Sequence, residues 1–216
     1  PVNDIDIATA ATPEQVEKLC AEVSLNTIAV GKSFGIIVVV NVSGESVEVA
    51  TFRSDSAYVD GRRPTAVSYS DAVTDVQRRD FTINALLMDP RDEHIIDHVG
   101  GQEDLWAKRL RTVGDPIARF KEDRLRVLRA LRFAAHHGLI IDPATWAALC
   151  HTTLQGLSAE RLMQEWDKAL ADRDPGAWLL LLERSGKYAA FCAPLDGVDV
   201  TTTVERLRRC MPGDSA

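Results

Sequence analysis

Four cysteines, Cys20, Cys150, Cys192 and Cys210, lie far apart, and no C-x-x-C pair occurs. Neither a disulfide framework nor a cysteine zinc site is expected, and a reducing cytoplasm is the expected setting. No apolar run approaches the length of a membrane-spanning helix, and no basic-plus-apolar leader is present, so neither a membrane nor a secreted protein is expected. There is no internal repeat and no low-complexity tract. A P-loop is also missing: Gly31-Lys32-Ser33 resembles its end, but the glycine required five positions upstream is Asn26. Overall basic charge is lacking too, since the formal net charge is −7.

What remains is a 216-residue chain with 45% hydrophobic residues, enough for one core or two small ones. Charge distribution matters more than its sum. From Ala107 to Phe133 there are nine basic residues (Lys108, Arg109, Arg111, Arg119, Lys121, Arg124, Arg126, Arg129, Arg132) against three acids (Asp115, Glu122, Asp123). This local excess suits a nucleic-acid face or an ordinary solvated helix face. The chain starts at Pro1 and ends in a polar tail from Met211, and both ends are expected to be cut from a longer protein.

Residues 1 to about 100 mix strand and helix signals. Ile5 and Ile7 alternate with Asp4 and Asp6, as on a strand with one polar face. Thr12-Pro13-Glu14-Gln15 predicts an N-cap, a first-turn proline and a helix to about Glu22. Ile36–Val42 and Glu45–Phe52 read as an antiparallel pair of strands, and Ser54–Thr65 as a mobile loop. After Gly100-Gly101 the pattern becomes helical: a run from Phe120 to His137 stopped by Gly138, then Pro143–Cys150, Ser158–Ala171 and Pro175–Ser185. The expected class is α+β, with a head over residues 1–106 and an all-helical neck over 107–216.

Asp4 and Asp6, two apart on a strand, share a face and repel unless a cation lies between them. Oxygen ligands at that spacing suit Mg²⁺, and a divalent pair can drive nucleotidyl transfer. A solvated strand face is the plainer explanation of a bare D-x-D. Glu48, in Val47-Glu48-Val49, would complete a three-acid cradle if its strand pairs beside the first. Arg78 and Arg79 offer forks for a triphosphate, while Asp80 and Asn84 can bond ribose hydroxyls. Asp80 could equally cap a helix. Glu122 and Arg126 fall on one helical face, where they can simply form an ion pair.

The segment Asp4-Ile5-Asp6-Ile7-Ala8-Thr9 resembles the D-x-D-x-A-T segment of the class II tRNA nucleotidyltransferase and bacterial poly(A) polymerase family, within the polymerase-β superfamily. Five further blocks agree in order: Glu48–Arg53, Asp60–Pro64, Arg78–Ala85, Asp97–Gly101 and Glu122–Arg126. These are similar to the family's third-carboxylate strand, flexible loop, ribose motif, hinge motif and E-D-x-x-R base-reading motif. The resemblance spans residues 1 to about 165. It implies a polymerase-β-like nucleotidyltransferase head, a mixed sheet with flanking helices. It also implies catalysis by Asp4, Asp6 and Glu48, with Mg²⁺ on Asp4 and Asp6. Nucleotide binding falls to Arg78, Arg79, Asp80, Asn84, Glu122, Asp123, Arg126 and Arg129, with Asp123 and Arg126 reading the base.

The implied activity is CCA addition to the tRNA 3′ end from CTP and ATP. Bacterial poly(A) polymerase is the alternative, and a non-catalytic RNA-binding remnant a third reading, which would require erosion of acids that all stand. Between the first two, Gly31-Lys32-Ser33-Phe34-Gly35 keeps part of the polymerase's G-[RK]-[RK]-F pattern, but Ser33 replaces its second basic residue. The intact Asp60–Pro64 loop argues against an enzyme restricted to CC addition. The family's G-G-x-V-R-D loop, expected upstream of Asp4, and its body and tail domains are not in this sequence, as truncation would produce. Of the decoys, His136-His137 reads as a helix-end pair and not a metal site. Trp106, Trp146, Trp166 and Trp178 read as core.

Overall fold

A computed structural model describes residues 5–55, 67–188 and 199–210. The chain divides into two compact units, Pro1–Arg79 and Asp80–Ala216.

The first unit is built on a four-stranded mixed sheet in the order β1-β4-β3-β2. Its strands are β1 (Asp6–Thr9), β2 (Asn26–Gly31), β3 (Ile36–Val40) and β4 (Ser46–Thr51). β1 runs parallel to β4, and the other pairings are antiparallel. Helix α1 (Pro13–Glu22) follows β1 and opens on a full capping box: Gln15 N–H donates to the Thr12 hydroxyl, and the Gln15 side chain accepts from Thr12 N–H. Its apolar side, Val16 and Cys20, packs on Ile37, with Val39 and Val49 beside it. One face of the sheet is thereby covered. Side chains alternate along a strand, so Glu48 and Val38 lie on the opposite face. A hairpin β5 (Arg53–Asp55) and β6 (Val67–Tyr69), then α2 (Ala72–Gln77), complete the unit. The start of the expected Ser54–Thr65 loop is therefore strand; residues 56–66 lie outside the described residues.

The second unit opens with a 3₁₀ turn (Thr82–Ala85) and a two-residue hairpin, β7 (Leu87–Met88) with β8 (Ile95–Ile96). Helices α3 (Gly101–Trp106), α4 (Pro116–Glu122), α5 (Leu125–His137), α6 (Pro143–His151), α7 (Ala159–Leu170), α8 (Pro175–Arg184) and α9 (Val200–Cys210) follow. Helical spacing on α5 puts Val127, Leu128, Leu131 and Ala134 into the core, where they meet Phe81, Phe120, Leu149, Trp178 and Leu182. Burying each of the large side chains contributes about 2 kcal/mol. Two details depart from the sequence reading. The helical region carries a short parallel ladder, β9 (Arg109–Leu110) with β10 (Ile140–Ile141), so it is not purely helical. The expected run from Phe120 to His137 is broken at Asp123, whose backbone is extended (φ −145°, ψ 106°). Among the described residues no helix is long and apolar enough to cross a membrane.

Candidate active site

In the first unit, β1 and β4 pair so that Asp6 stands directly opposite Glu48. Paired residues on neighbouring strands project to the same face, so two carboxylates sit side by side on the face that α1 does not cover. Both are exposed. No described basic side chain pairs with either. Two adjacent like charges without a protein cation are the donor set a divalent metal ion would fit. Asp4 lies outside the described residues, and among those described no group of three or more such ligands gathers.

Arg78 and Arg79, read as triphosphate ligands, both turn onto Asp75 at the end of α2. Arg78 reaches one carboxylate oxygen with Nη2 at 2.7 Å, and Arg79 the other with Nη2 at 3.2 Å. Asp75 is only 2% exposed, and also accepts from Arg53 N–H. The pair is thus held in place by a buried acid.

In the second unit, Asp80, Asn84 and Arg129 come together. Arg129 donates from Nε (2.9 Å) and Nη2 (2.7 Å) to one oxygen of Asp80. The other oxygen accepts from Phe81 N–H and the Asn84 amide. The notion that Asp80 caps a helix is corrected: Phe81 occupies the N-cap of the 3₁₀ turn, with no side-chain cap. Glu122 and Arg126 do pair, at 2.6 Å, but across the break between α4 and α5 and not along one helical face. Glu122 also accepts from Arg119. The Asp123 carboxylate accepts from Leu125 N–H and from Arg161 Nη2 at 2.8 Å. Arg161 was not foreseen; its signal is the arginine in the first turn of α7.

Two acids shape the turn between these groups. Asp97 accepts four backbone N–H groups, from Val99, Gly100, Gly101 and Gln102. Burial pushes its carboxyl up, but the four backbone hydrogen bonds outweigh this and hold it below the usual carboxylate range. Asp104, fully buried, takes Arg109 Nε at 2.5 Å, Arg111 Nε at 2.8 Å and the Thr82 hydroxyl at 2.6 Å. Gly101 is required by packing: a Cβ there would sit 2.2 Å from the Thr82 carbonyl oxygen.

The basic stretch is therefore largely engaged. Arg109 and Arg111 pair with Asp104, Arg119 and Arg126 with Glu122, Arg129 with Asp80, and Arg132 with Glu165. Lys108 and Lys121 remain exposed.

The decoys resolve similarly. Lys32 pairs with Glu17 at 2.6 Å and Glu14 at 3.5 Å, and its hydrogen bond to Glu17 raises its pKa. His136 pairs with Asp172, and His137 stacks on Phe133. Trp178 is buried and packs edge-on against Trp166, and Trp146 lies against the same core. Trp106 is corrected: it is 79% exposed.

Against known proteins, the model of the "Poly A polymerase head domain" matches residues 1–111, just over half the chain. The chain belongs to that head-domain family. A second family, described as "Probable RNA and SrmB- binding site of polymerase A", matches residues 138–192. A CCA-adding enzyme of Bacillus licheniformis is 42% identical over 190 residues, covering 87% of this chain and 46% of that relative. The Bacillus stearothermophilus CCA-adding enzyme in complex with CTP superposes with a TM-score of 0.79 at 36% identity, over 91% of this chain and 47% of the other. A complex of a CCA-adding enzyme with ATP gives a TM-score of 0.74 at 25% identity, over 95% and 48%. The chain thus spans about half the length of the relatives it matches. Within the family head, the sheet, its covering helix and the exposed acid pair on the opposite face are the parts already described.

Proposed function

We propose that this chain is the catalytic head and neck of a CCA-adding tRNA nucleotidyltransferase, with the head over residues 1–106 and the neck over 107–216. The observation that carries the reading is the register of Asp6 against Glu48 on the open face of the sheet, in a chain whose relatives are CCA-adding enzymes. Asp6 and Asp4 would hold Mg²⁺, with Glu48 assisting. A divalent cation held there would supply activation of the attacking hydroxyl and charge neutralisation for the leaving pyrophosphate. The chain's own residues do the rest. Arg78 and Arg79 draw the triphosphate, Asp80 and Asn84 bond the ribose with Arg129 steadying them, and Asp123 and Arg126 read the base, with Glu122 orienting Arg126. CTP, ATP and the tRNA 3′ end are the substrates. The compartment is cytoplasmic, in keeping with the free thiols Cys20 and Cys150.

Poly(A) synthesis is the second reading, favoured by the family description of the matched head domain. Incubating the protein with a tRNA lacking its terminal CCA and with each nucleotide separates the readings. Addition that stops at CCA supports the proposal; an unbounded A tail supports the second reading. No product with any nucleotide overturns both. Asp6→Ala is expected to abolish transfer while leaving RNA binding intact, and turnover near wild type would remove the metal assignment.

A further inference from the structure

Asp75 is buried in the first unit, beneath the two arginines assigned to the triphosphate, and its two oxygens are divided between them. Oδ1 accepts from Arg78 Nε at 3.0 Å and Nη2 at 2.7 Å, and from Arg53 N–H at 3.2 Å. Oδ2 accepts from Arg79 Nε at 3.3 Å and Nη2 at 3.2 Å. The arginine side chains keep 24% and 30% of their surface in solvent, so each reaches from a buried anchor to an open surface. Two like charges held side by side repel, and an anion such as a triphosphate relieves that repulsion.

The same carboxylate ties the arginines to the strand run that carries Glu48. Arg53 opens β5 directly after β4, five residues beyond Glu48. Its N–H donates to Asp75, and its carbonyl accepts from Arg78 Nε at 3.1 Å. Its own guanidinium donates to the Phe34 carbonyl, next to the start of β3. Arg78 is therefore fixed to strand backbone as well as to the acid. The hydrogen bonds that fix Arg79 to Asp75 all fall on Oδ2. An arginine side chain has several free torsions and loses much rotamer entropy when ordered, so an anchor at its Nε and Nη2 sets where the head can reach.

We propose that Asp75 is a positioning residue for the triphosphate: one oxygen locks Arg78 to β5, and the other aims Arg79. Asp75 acts through the arginines and touches no nucleotide. The division of its oxygens makes the two arginines respond differently to an amide. Asparagine has one acceptor oxygen, and the backbone N–H of Arg53 together with Arg78 holds it on their side. The amide nitrogen then faces Arg79, donor against donor, and Arg79 is released. The proposal rests on Arg78 and Arg79 drawing the triphosphate, as set out above.

The test measures the affinities of CTP and CMP by titration calorimetry with Mg²⁺ present, together with KM for CTP and for a tRNA lacking CCA. Wild type is compared with Asp75→Asn, Arg79→Ala, the double variant and, as a control cation on α1, the exposed Lys18→Ala. The expected result is that Asp75→Asn lowers the CTP-to-CMP affinity ratio by roughly tenfold, the scale of a hydrogen bond to a charged group. KM for CTP rises while KM for tRNA holds. Arg79→Ala lowers the ratio as well, adding Asp75→Asn to it lowers the ratio no further, and Lys18→Ala leaves it unchanged. A wild-type ratio in Asp75→Asn, with CTP and CMP weakened equally or not at all, overturns the proposal and leaves Asp75 a structural brace. A full further loss in the double variant overturns the route through Arg79. If Asp75→Asn does not fold, Asp75→Glu decides alone. It keeps the charge and both acceptors but moves them by one methylene, so a lowered ratio supports positioning and an unchanged ratio overturns it. A wild-type ratio in Arg79→Ala overturns the triphosphate assignment itself, and this inference with it.

Discussion

Arg129 places both Nε and Nη2 on a single oxygen of Asp80, leaving the other oxygen to Phe81 N–H and the Asn84 amide. The aspartate is thereby braced from both sides, and its carboxylate is 10% exposed. Removing the fork strands a nearly buried charge. Arg129→Ala is expected to cost about 2 kcal/mol in urea denaturation, the scale of hydrogen bonds to a charged group. Arg129→Lys should cost less but not zero, because an ammonium cannot reproduce two donors in a fixed fork. If Asp80 and Asn84 hold the ribose, both variants should also weaken the preference for ribo- over deoxyribonucleotides. An unchanged preference would separate Arg129 from sugar recognition.

Gly100 and Gly101 are adjacent glycines kept for different reasons. Gly100 has φ +78°, so a side chain there is strained, but its Cβ would meet only a side-chain tip, Nη2 of Arg111 at 3.1 Å, and no backbone atom. Gly101 has ordinary helical placement, yet its Cβ would strike the Thr82 backbone at 2.2 Å. Backbone cannot swing aside as an arginine tip can. Gly100→Ala should therefore cost about 1 kcal/mol, and Gly101→Ala about 3 kcal/mol. Equal losses in parallel denaturation curves would contradict the packing argument.

The residues that sequence reading placed well are those whose partners lie nearby or on a simple alternation. Val47-Glu48-Val49 fixed the face of Glu48, and Thr12-Pro13-Glu14-Gln15 fixed the start of α1. The register of β1 against β4 was only conditional, because nothing local dictates which residues of two parallel strands meet. Charge in a window misled for the same reason. Arg129 finds its partner 49 residues away and Arg132 finds its partner 33 away, so counting acids between Ala107 and Phe133 overlooked both. Trp106 misled because α3 turns Gly101 and Asp104 inward and Leu105 and Trp106 outward, which inverts the hydrophobic rule. The break at Asp123 did leave a signal. An aspartate two residues before an apolar helical run, accepting from Leu125 N–H, is a local alternative to continuing the helix.

Asp97 gives a dependence on pH. Its carboxyl is held below the ordinary value of 3.8, so the carboxylate form stabilises the folded protein at every pH above that value. As pH falls below 3.8 and through the lower folded-state value, protonation removes this contribution. Asp97→Asn loses it at all pH values and turns an amide donor toward one of the four N–H groups. The variant should be less stable than wild type near neutral pH, with the gap narrowing below the carboxylate range. Melting temperatures of the two proteins across an acid titration check this; a constant gap would mean that the ionised form is not what α3 uses.

Arg109 touches two neighbouring acids of α3, and their burial sets opposite expectations. Glu103 is 80% exposed and meets Arg109 at 3.1 Å, a surface pair screened by water. Asp104 is fully buried, with Arg109, Arg111 and the Thr82 hydroxyl all directed at it. Glu103→Gln should change stability by less than about 0.5 kcal/mol. Asp104→Asn leaves two guanidinium groups facing a neutral amide that must donate where an acceptor is needed, and should cost about 3 kcal/mol. Because Thr82 begins the turn that carries Asn84, the same substitution should raise KM for nucleotide more than it lowers kcat. Thr82→Val, which removes one hydroxyl from the set and keeps its shape, should reproduce the KM effect in milder form. A Thr82→Val enzyme with unaltered KM would confine Asp104 to holding α3 against β9.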